Sequence, residues 1–258
     1  MLRIAKLCKT FGDEGPEKAV TALSEVDLEI DQGEFVSVIG PSGCGKSTLM
    51  EIVAGLERPT GGSVHIDNDE ITRPHPDIGV VFQQDATFPW LTSRQNVEFG
   101  LLRLGLTKKE RARQALDTLE LVGVAGFADH HPGQLSGGMR QRLNIARVLA
   151  ARPRILLMDE PFGALDEQTR LRIGDELLRI WRETGSTVLF ITHGLSEAAL
   201  LSDRIVVMTP RPGQVKEIVV SPLPRTRTSS EIGSPAFADV TGRLWADLSS
   251  ADPREAIA

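Results

Sequence analysis

The sequence predicts an α/β fold: a mainly parallel sheet, an antiparallel β subdomain beside it and an inserted α-helical lobe. Three observations carry that expectation. Short apolar runs, GEFVSVIG at 33–40, ILLMD at 155–159, VLFIT at 188–192 and RIVVM at 204–208, recur with helical stretches between them, as strands buried on both faces do. A glycine-rich segment joins the first run to a helical one. From about 88 to 150 the spacing turns helical throughout and splits the strand runs into two groups.

Residues 1–32 alternate polar and apolar as RIAKLCKTF and ALSEVDLEI, which predicts antiparallel strands laid beside the core. From 33 to 84 the order is the strand GEFVSVIG, the glycine loop, the helix TLMEIVAGL at 48–56, a strand pair around SVHID and the strand DIGVVFQQ. In the lobe, Ala112, Ala115, Leu116 and Leu119 recur at helical spacing, and Leu143, Ala146 and Leu149 are expected to share a face of a later helix. Past 209 the composition shifts to Pro, Arg, Thr and Ser through TPRPGQ and SPLPRTRTSS. A last helix carries Phe237, Val240, Leu244 and Leu248 on one face, so a main domain over 1–221 and a tail over 222–258 are expected.

Composition bounds the function. A chain of 258 residues buries a large core in one α/β domain, and its net charge of −6 speaks against a nucleic-acid surface. Cys8 and Cys44 are too few for a disulfide framework and suggest a reducing compartment. The N-terminal MLRIAKLCKTF alternates charged and apolar residues and does not read as a signal peptide. With no apolar run of about 18 residues and a mean hydropathy of −0.09, the chain is not expected to span a bilayer.

The segment GPSGCGKST at 40–48 supplies the first chemistry. Gly40, Gly43 and Gly45 are expected to take φ values closed to other residues, so that successive N–H groups turn inward around phosphate oxygens at a helix N-terminus. Lys46 adds a point charge worth about 4 kcal/mol at ~4 Å and an effective dielectric near 20, enough to favour a triphosphate over uncharged ligands. Ser47 is placed to ligate Mg2+. Cys44 needs only its backbone N–H there, and Pro41, Ser42 and Thr48 complete the segment. A second element, ILLMDEP at 155–161, brings Asp159 to the C-terminal end of a buried strand, where a carboxylate can hold Mg2+ through water. At the turn that follows, Glu160 can address a water in line with a γ-phosphate. A third, LSGGMRQR at 135–142, sets the Ser136 hydroxyl and the bare backbone of Gly137 and Gly138 at the positive end of a helix, where a γ-phosphate could dock.

Together these three strings resemble the P-loop NTPase core of ABC transporter ATP-binding subunits, and the resemblance covers nearly the whole chain. It implies an ABC ATPase that binds ATP with Mg2+. It also implies that Glu160 is the catalytic base or water-orienting carboxylate, and that Gln83, ending DIGVVFQ, touches Mg2+ or the attacking water. His193, ending VLFITH, would sense the γ-phosphate, and Asp166 in GALD would cross a homodimer interface. In that head-to-tail dimer each ATP lies between the phosphate loop of one copy and the Ser136 segment of the other. Phe11 in KTFG would stack on adenine, a strand-core Phe being the other reading. Met139 departs from the family's usual Gln, and Gly194 from the acidic residue that commonly follows the His. FPWLTSRQNV at 88–97 and MTPRPGQV at 208–215 are similar to segments of nitrate, sulfonate and taurine importers. This implies integral membrane permease subunits, indirectly a solute-binding protein, and a peripheral position on the cytoplasmic face of the inner membrane. Pro89 and Trp90 fit either a groove edge that receives a membrane-subunit helix or the core of the lobe. The alternative function is a soluble ABC ATPase that remodels a cytosolic partner, which the single modest lobe disfavours.

Overall fold

The computed structural model describes residues 1–12, 19–84, 86–163 and 165–249. Strands β1 (Leu2–Phe11) and β2 (Val20–Ile30) run antiparallel, with Leu2 opposite Ile30 and Phe11 opposite Val20. β3 (Phe35–Ile39) leads through the glycine loop into helix α1 (Lys46–Val53). β4 (Gly61–Ile66) and β5 (Asp69–Glu70) return beside β1 and complete an antiparallel sheet in the order β2-β1-β4-β5. After β6 (Ile78–Val81) come the lobe helices α2 (Ser93–Gly100), α3 (Lys108–Leu121) and α4 (Gly137–Leu149). Then follow β7 (Ile155–Asp159), α5 (Glu167–Thr184), β8 (Thr187–Ile191), α6 (Leu195–Leu201), β9 (Arg204–Met208), β10 (Val215–Val220) and α7 (Pro235–Ser249). The second sheet has the order β10-β9-β3-β8-β7-β6 and is parallel except for β10.

This order explains the continuous apolar runs. Val36, Val38, Leu157, Leu189, Ile191 and Val206 pack with α1 and the antiparallel sheet, whereas the intervening Phe35, Leu156, Met158, Val188 and Phe190 pack with α4 and α5. Both faces of the parallel sheet are covered, so period-two alternation is erased from its sequence. β10 lies on the edge, antiparallel to β9, and is a strand beyond the three expected after the lobe. Its sequence follows a Pro-rich turn and its burial is mixed, as suits an edge.

The lobe helices start at reciprocal caps, Thr92 with Gln95 on α2 and Thr107 with Glu110 on α3. Their core is built from Val97, Leu101, Ala115, Leu119, Leu143 and Ala146. Two expected face residues depart. Leu116 is exposed, and Thr118 is buried beside Leu119 instead. Leu149 joins Ile145 against the parallel sheet, apart from Leu143 and Ala146. Six residues at about 100° each carry Leu149 about 120° round the helix from Leu143. α4 therefore belongs to the lobe on one face and to the sheet on the other.

The chain beyond 222 is tied back to the sheet. Arg225 and Arg227 donate to the two Asp203 oxygens at 3.0 and 2.9 Å, and both guanidinium groups lie over the Trp181 ring. α7 then buries Phe237, Val240 and Leu244 against α6 and the outer face of β9. Arg227 is 1% exposed and also donates to the Leu201 carbonyl at 2.6 Å. Removing its carboxylate leaves a buried charge unpaired. Asp203→Ala is therefore expected to lower stability by roughly 3–5 kcal/mol, read as a fall in urea midpoint at unchanged slope. A loss below about 1 kcal/mol would mean that the carbonyls alone satisfy Arg227.

Candidate functional site

The turns that follow β3, β6, β7 and β8 open into one pocket of about 650 Å3 at the C-terminal edge of the parallel sheet. Ser42, Gly43, Gly45, Lys46, Ser47 and Thr48 line it. Gly43 and Gly45 take φ of 74° and 102°, left-handed backbone that carries the loop around into α1. Gly40 does not, contrary to expectation. It is required for space, since a Cβ there would lie 2.9 Å from Cys44 Sγ and 3.1 Å from Met208 Cβ. Cys44 is buried, and its N–H turns back to the Pro41 carbonyl at 3.3 Å, so it serves the turn. The Lys46 ammonium donates to the carbonyls of Gly40 and Pro41 at 2.8 and 3.1 Å.

The carboxylates arrive from β7. Asp159 is 7% exposed and lies beside Ser47. Burial pushes its carboxyl above the ordinary range, the Ser47 hydroxyl opposes this, the Glu160 charge adds to it and Lys46 offsets it. The Glu160 N–H still donates across the ladder to Ile191 at 2.9 Å, but its φ is 43°, an uncommon conformation for a residue with a Cβ. That turn ends strand alternation and brings the Glu160 side chain into the pocket wall next to buried Asp159. Gln83 Nε2 donates to Glu160 Oε2 at 3.1 Å, and His193 Nδ1 lies 3.2 Å from the same oxygen. Residues from the ends of β6, β7 and β8 thus meet at one atom. The Ser47 hydroxyl, Asp159 carboxylate and Gln83 carboxamide are all hard oxygen donors, the set that suits Mg2+.

Phe11 is 40% exposed and lines the pocket with Val20, so it is not a core residue, and Lys9 Nζ sits 4.7 Å from its ring centre. Ala22 and Arg211 also line the pocket and were not expected there. Arg211 lies in MTPRPGQV, and its Nη2 is 3.6 Å from where a Gly43 Cβ would stand. Its turn is pinned beside β2 by the Gly213 N–H donating to Ala22 at 2.9 Å. Nothing local in the sequence marks this, because the approach joins segments from opposite ends of the chain. Ser136, Gly137, Gly138 and Asp166 stand outside the pocket lining. Ser136 caps α4, accepting from the Met139 N–H at 3.3 Å, and Asp166 caps α5, accepting from Thr169 at 2.9 Å. Met139 itself packs on the lobe core. Trp90 is 70% exposed, which excludes the core reading, and it rests on Phe88, which also meets Phe99.

ATP-binding cassettes are built on this plan of two sheets, a phosphate loop and an inserted helical lobe. The chain belongs to the ABC transporter family of ATPases, whose family model matches residues 23–163. An uncharacterised ABC transporter ATP-binding protein of Methanocaldococcus jannaschii is 51% identical over 232 residues, which cover 89% of this chain and 86% of that protein. A nitrate import ATP-binding protein of Synechocystis sp. is 45% identical over 86% of this chain and 83% of its own length. A taurine import ATP-binding protein of Yersinia pestis is 50% identical over 76% and 77%. Among solved structures, a dimeric ATP-binding cassette in a post-hydrolysis state with ADP and Pi superimposes with a TM-score of 0.77 at 38% identity, covering 85% of this chain and 98% of that one.

The raised Asp159 carboxyl makes its ionisation oppose folding when no nucleotide is bound. The penalty is absent below the ordinary carboxylate range and grows as pH rises through the raised native value. Asp159→Asn removes it. In the absence of nucleotide and Mg2+, the variant is expected to melt above wild type at about pH 8 and to converge with it towards about pH 4. A gap that does not change with pH, or a less stable variant at pH 8, would overturn the assignment of that penalty to Asp159.

Proposed function

We propose that this ATPase is the nucleotide-hydrolysing subunit of an importer for a small solute of the nitrate, sulfonate or taurine kind. The convergence of Gln83 and His193 on Glu160 beside the Lys46 loop carries the hydrolytic reading. The import reading is supported by relatives named for nitrate and taurine import that match over most of their length. ATP enters with its adenine on Phe11 and its phosphates in the glycine loop. Lys46 exchanges the Gly40 and Pro41 carbonyls for phosphate oxygens, charge-assisted bonds stronger than those it leaves. Arg211 adds a second cation on the Gly43 side. Ser47, Asp159 and Gln83 would hold Mg2+, which when bound neutralises charge on the phosphates. Gln83 holds one oxygen of Glu160, which leaves the other to orient the attacking water and take its proton. His193, on the same oxygen and largely exposed, is free to meet the γ-phosphate.

A second copy completes the site. Ser136 with its two glycines, and Asp166, stand outside the lining of their own pocket, which supports a head-to-tail homodimer in which each copy offers them to the ATP of the other. No helix among the described residues is long and apolar enough to cross a membrane. The subunit is therefore assigned a peripheral place on the cytoplasmic face of the inner membrane, docked through the exposed Trp90 edge onto a permease that a solute-binding protein feeds.

Three experiments test this reading. Glu160→Gln is expected to keep Mg-ATP binding while hydrolysis falls by about two to four orders of magnitude; near wild-type turnover would remove Glu160 from the role. Mixing a Lys46→Ala chain with a Ser136→Arg chain should restore part of the activity, since some mixed dimers hold one intact site, and the absence of rescue at every ratio would exclude shared sites. Trp90→Glu should leave basal hydrolysis and melting temperature near wild type while abolishing co-purification with its permease, because an unpaired carboxylate at a buried contact costs several kcal/mol. Retained binding with full transport would move the docking edge elsewhere.

A further inference from the structure

A second cavity, of about 300 Å3, lies where the end of α3 and the middle of α4 face α5, away from the nucleotide pocket. Ile145, Leu149, Phe162, Ile173 and Leu177 are buried and form its apolar floor. Arg142 and Arg172 stand at its mouth. Arg142 spends Nη1 on the carbonyls of Val122 and Gly123, at 3.4 and 3.2 Å, but its Nε is buried with no hydrogen-bond partner. Arg172 is exposed and makes no ion pair among the described residues. Burial pushes the Arg142 guanidinium down, the nearby Arg172 charge pushes it further, and the Asp166 carboxylate, outside the cavity lining, opposes both; neither arginine makes an ion pair among the described residues. The acids on the rim do not serve as partners: Glu176 is turned to Arg179, which donates to it from Nε at 3.0 Å, and Glu120 pairs with neither arginine.

An apolar floor beneath two guanidinium groups that make no ion pair is complementary to a molecule with an apolar body and one negative end. We propose that this cavity binds a small organic anion, a carboxylate or sulfonate on an aromatic or short aliphatic frame, with its charged end between Arg142 and Arg172. The place matters because α4 is the helix that Ser136 caps and α5 the one that Asp166 caps, so an occupant touches both helices that the proposed head-to-tail dimer would turn to a second copy. The inference does not rest on the importer reading.

The test is calorimetric titration of the full chain with naphthalene-1-sulfonate, with and without saturating Mg-ADP. One saturable site is expected, undisturbed by Mg-ADP, about tenfold weaker in Arg172→Gln, largely restored in Arg172→Lys and unchanged in Arg113→Gln, an exposed α3 arginine outside the cavity. Uncharged 1-naphthol should bind at least about tenfold more weakly than the sulfonate. Arg172 is on the surface, so these variants retain the fold. The proposal is overturned if no saturable binding occurs, if Mg-ADP displaces the probe, if naphthol binds equally well, or if Arg172→Gln binds like wild type.

Discussion

The Lys46 ammonium, 8% exposed and held by the carbonyls of Gly40 and Pro41, is the charge around which the site is arranged. Enclosing such a charge costs several kcal/mol unless hydrogen bonds replace its water. Here the replacement comes from main-chain oxygens that point inward only because Gly43 and Gly45 adopt left-handed backbone and Gly40 leaves room for Cys44 and Met208. Asp159 lies nearby, also buried, beside Ser47. Among the described residues neither charge is neutralised by a direct ion pair. An entering polyphosphate therefore meets a cation whose present partners are weak carbonyl acceptors, which makes the exchange favourable.

The same sheet order that buries these groups brings three polar side chains together at the pocket wall. β6, β7 and β8 are neighbours in the sheet, so Gln83, Glu160 and His193, distant in sequence, end up side by side at the strand tips. A regular strand end would point Glu160 and Asp159 to opposite faces. The left-handed φ at Glu160, held by its ladder bond to Ile191, breaks that rule and lets one carboxylate stay buried near Ser47 while the next reaches the open pocket.

Two helices carry the consequences outward. α4 packs Leu143 and Ala146 into the lobe and Ile145 and Leu149 onto the sheet, and α5 packs onto the sheet beside it. Their N-terminal caps, Ser136 and Asp166, satisfy local N–H groups and at the same time stand outside the pocket of their own chain. A motif that looks self-contained in sequence thus contributes nothing to the pocket lining of its own chain.

What the sequence alone determined is what depends on neighbours along the chain. Apolar runs, glycine spacing and the strings at 40–48, 135–142 and 155–161 are local, and they mark most of the strands and helices and the chemistry to expect at their ends. The family follows from those strings. The tertiary structure decided everything that depends on which distant segment covers which face. Leu116 is exposed and Leu149 turns to the sheet because helical phase drifts while the neighbouring surfaces do not. Gly40 is needed for the room it leaves Cys44 and Met208, and its φ is not left-handed. Phe11 and Trp90 are exposed, Arg211 reaches the phosphate loop and β10 completes the sheet edge because β1, the lobe and the turn after β9 meet their surroundings only once the chain has folded. Residue spacing carries periodicity and chemistry, but it carries no record of contacts made between segments two hundred residues apart, such as Ala22 with Gly213.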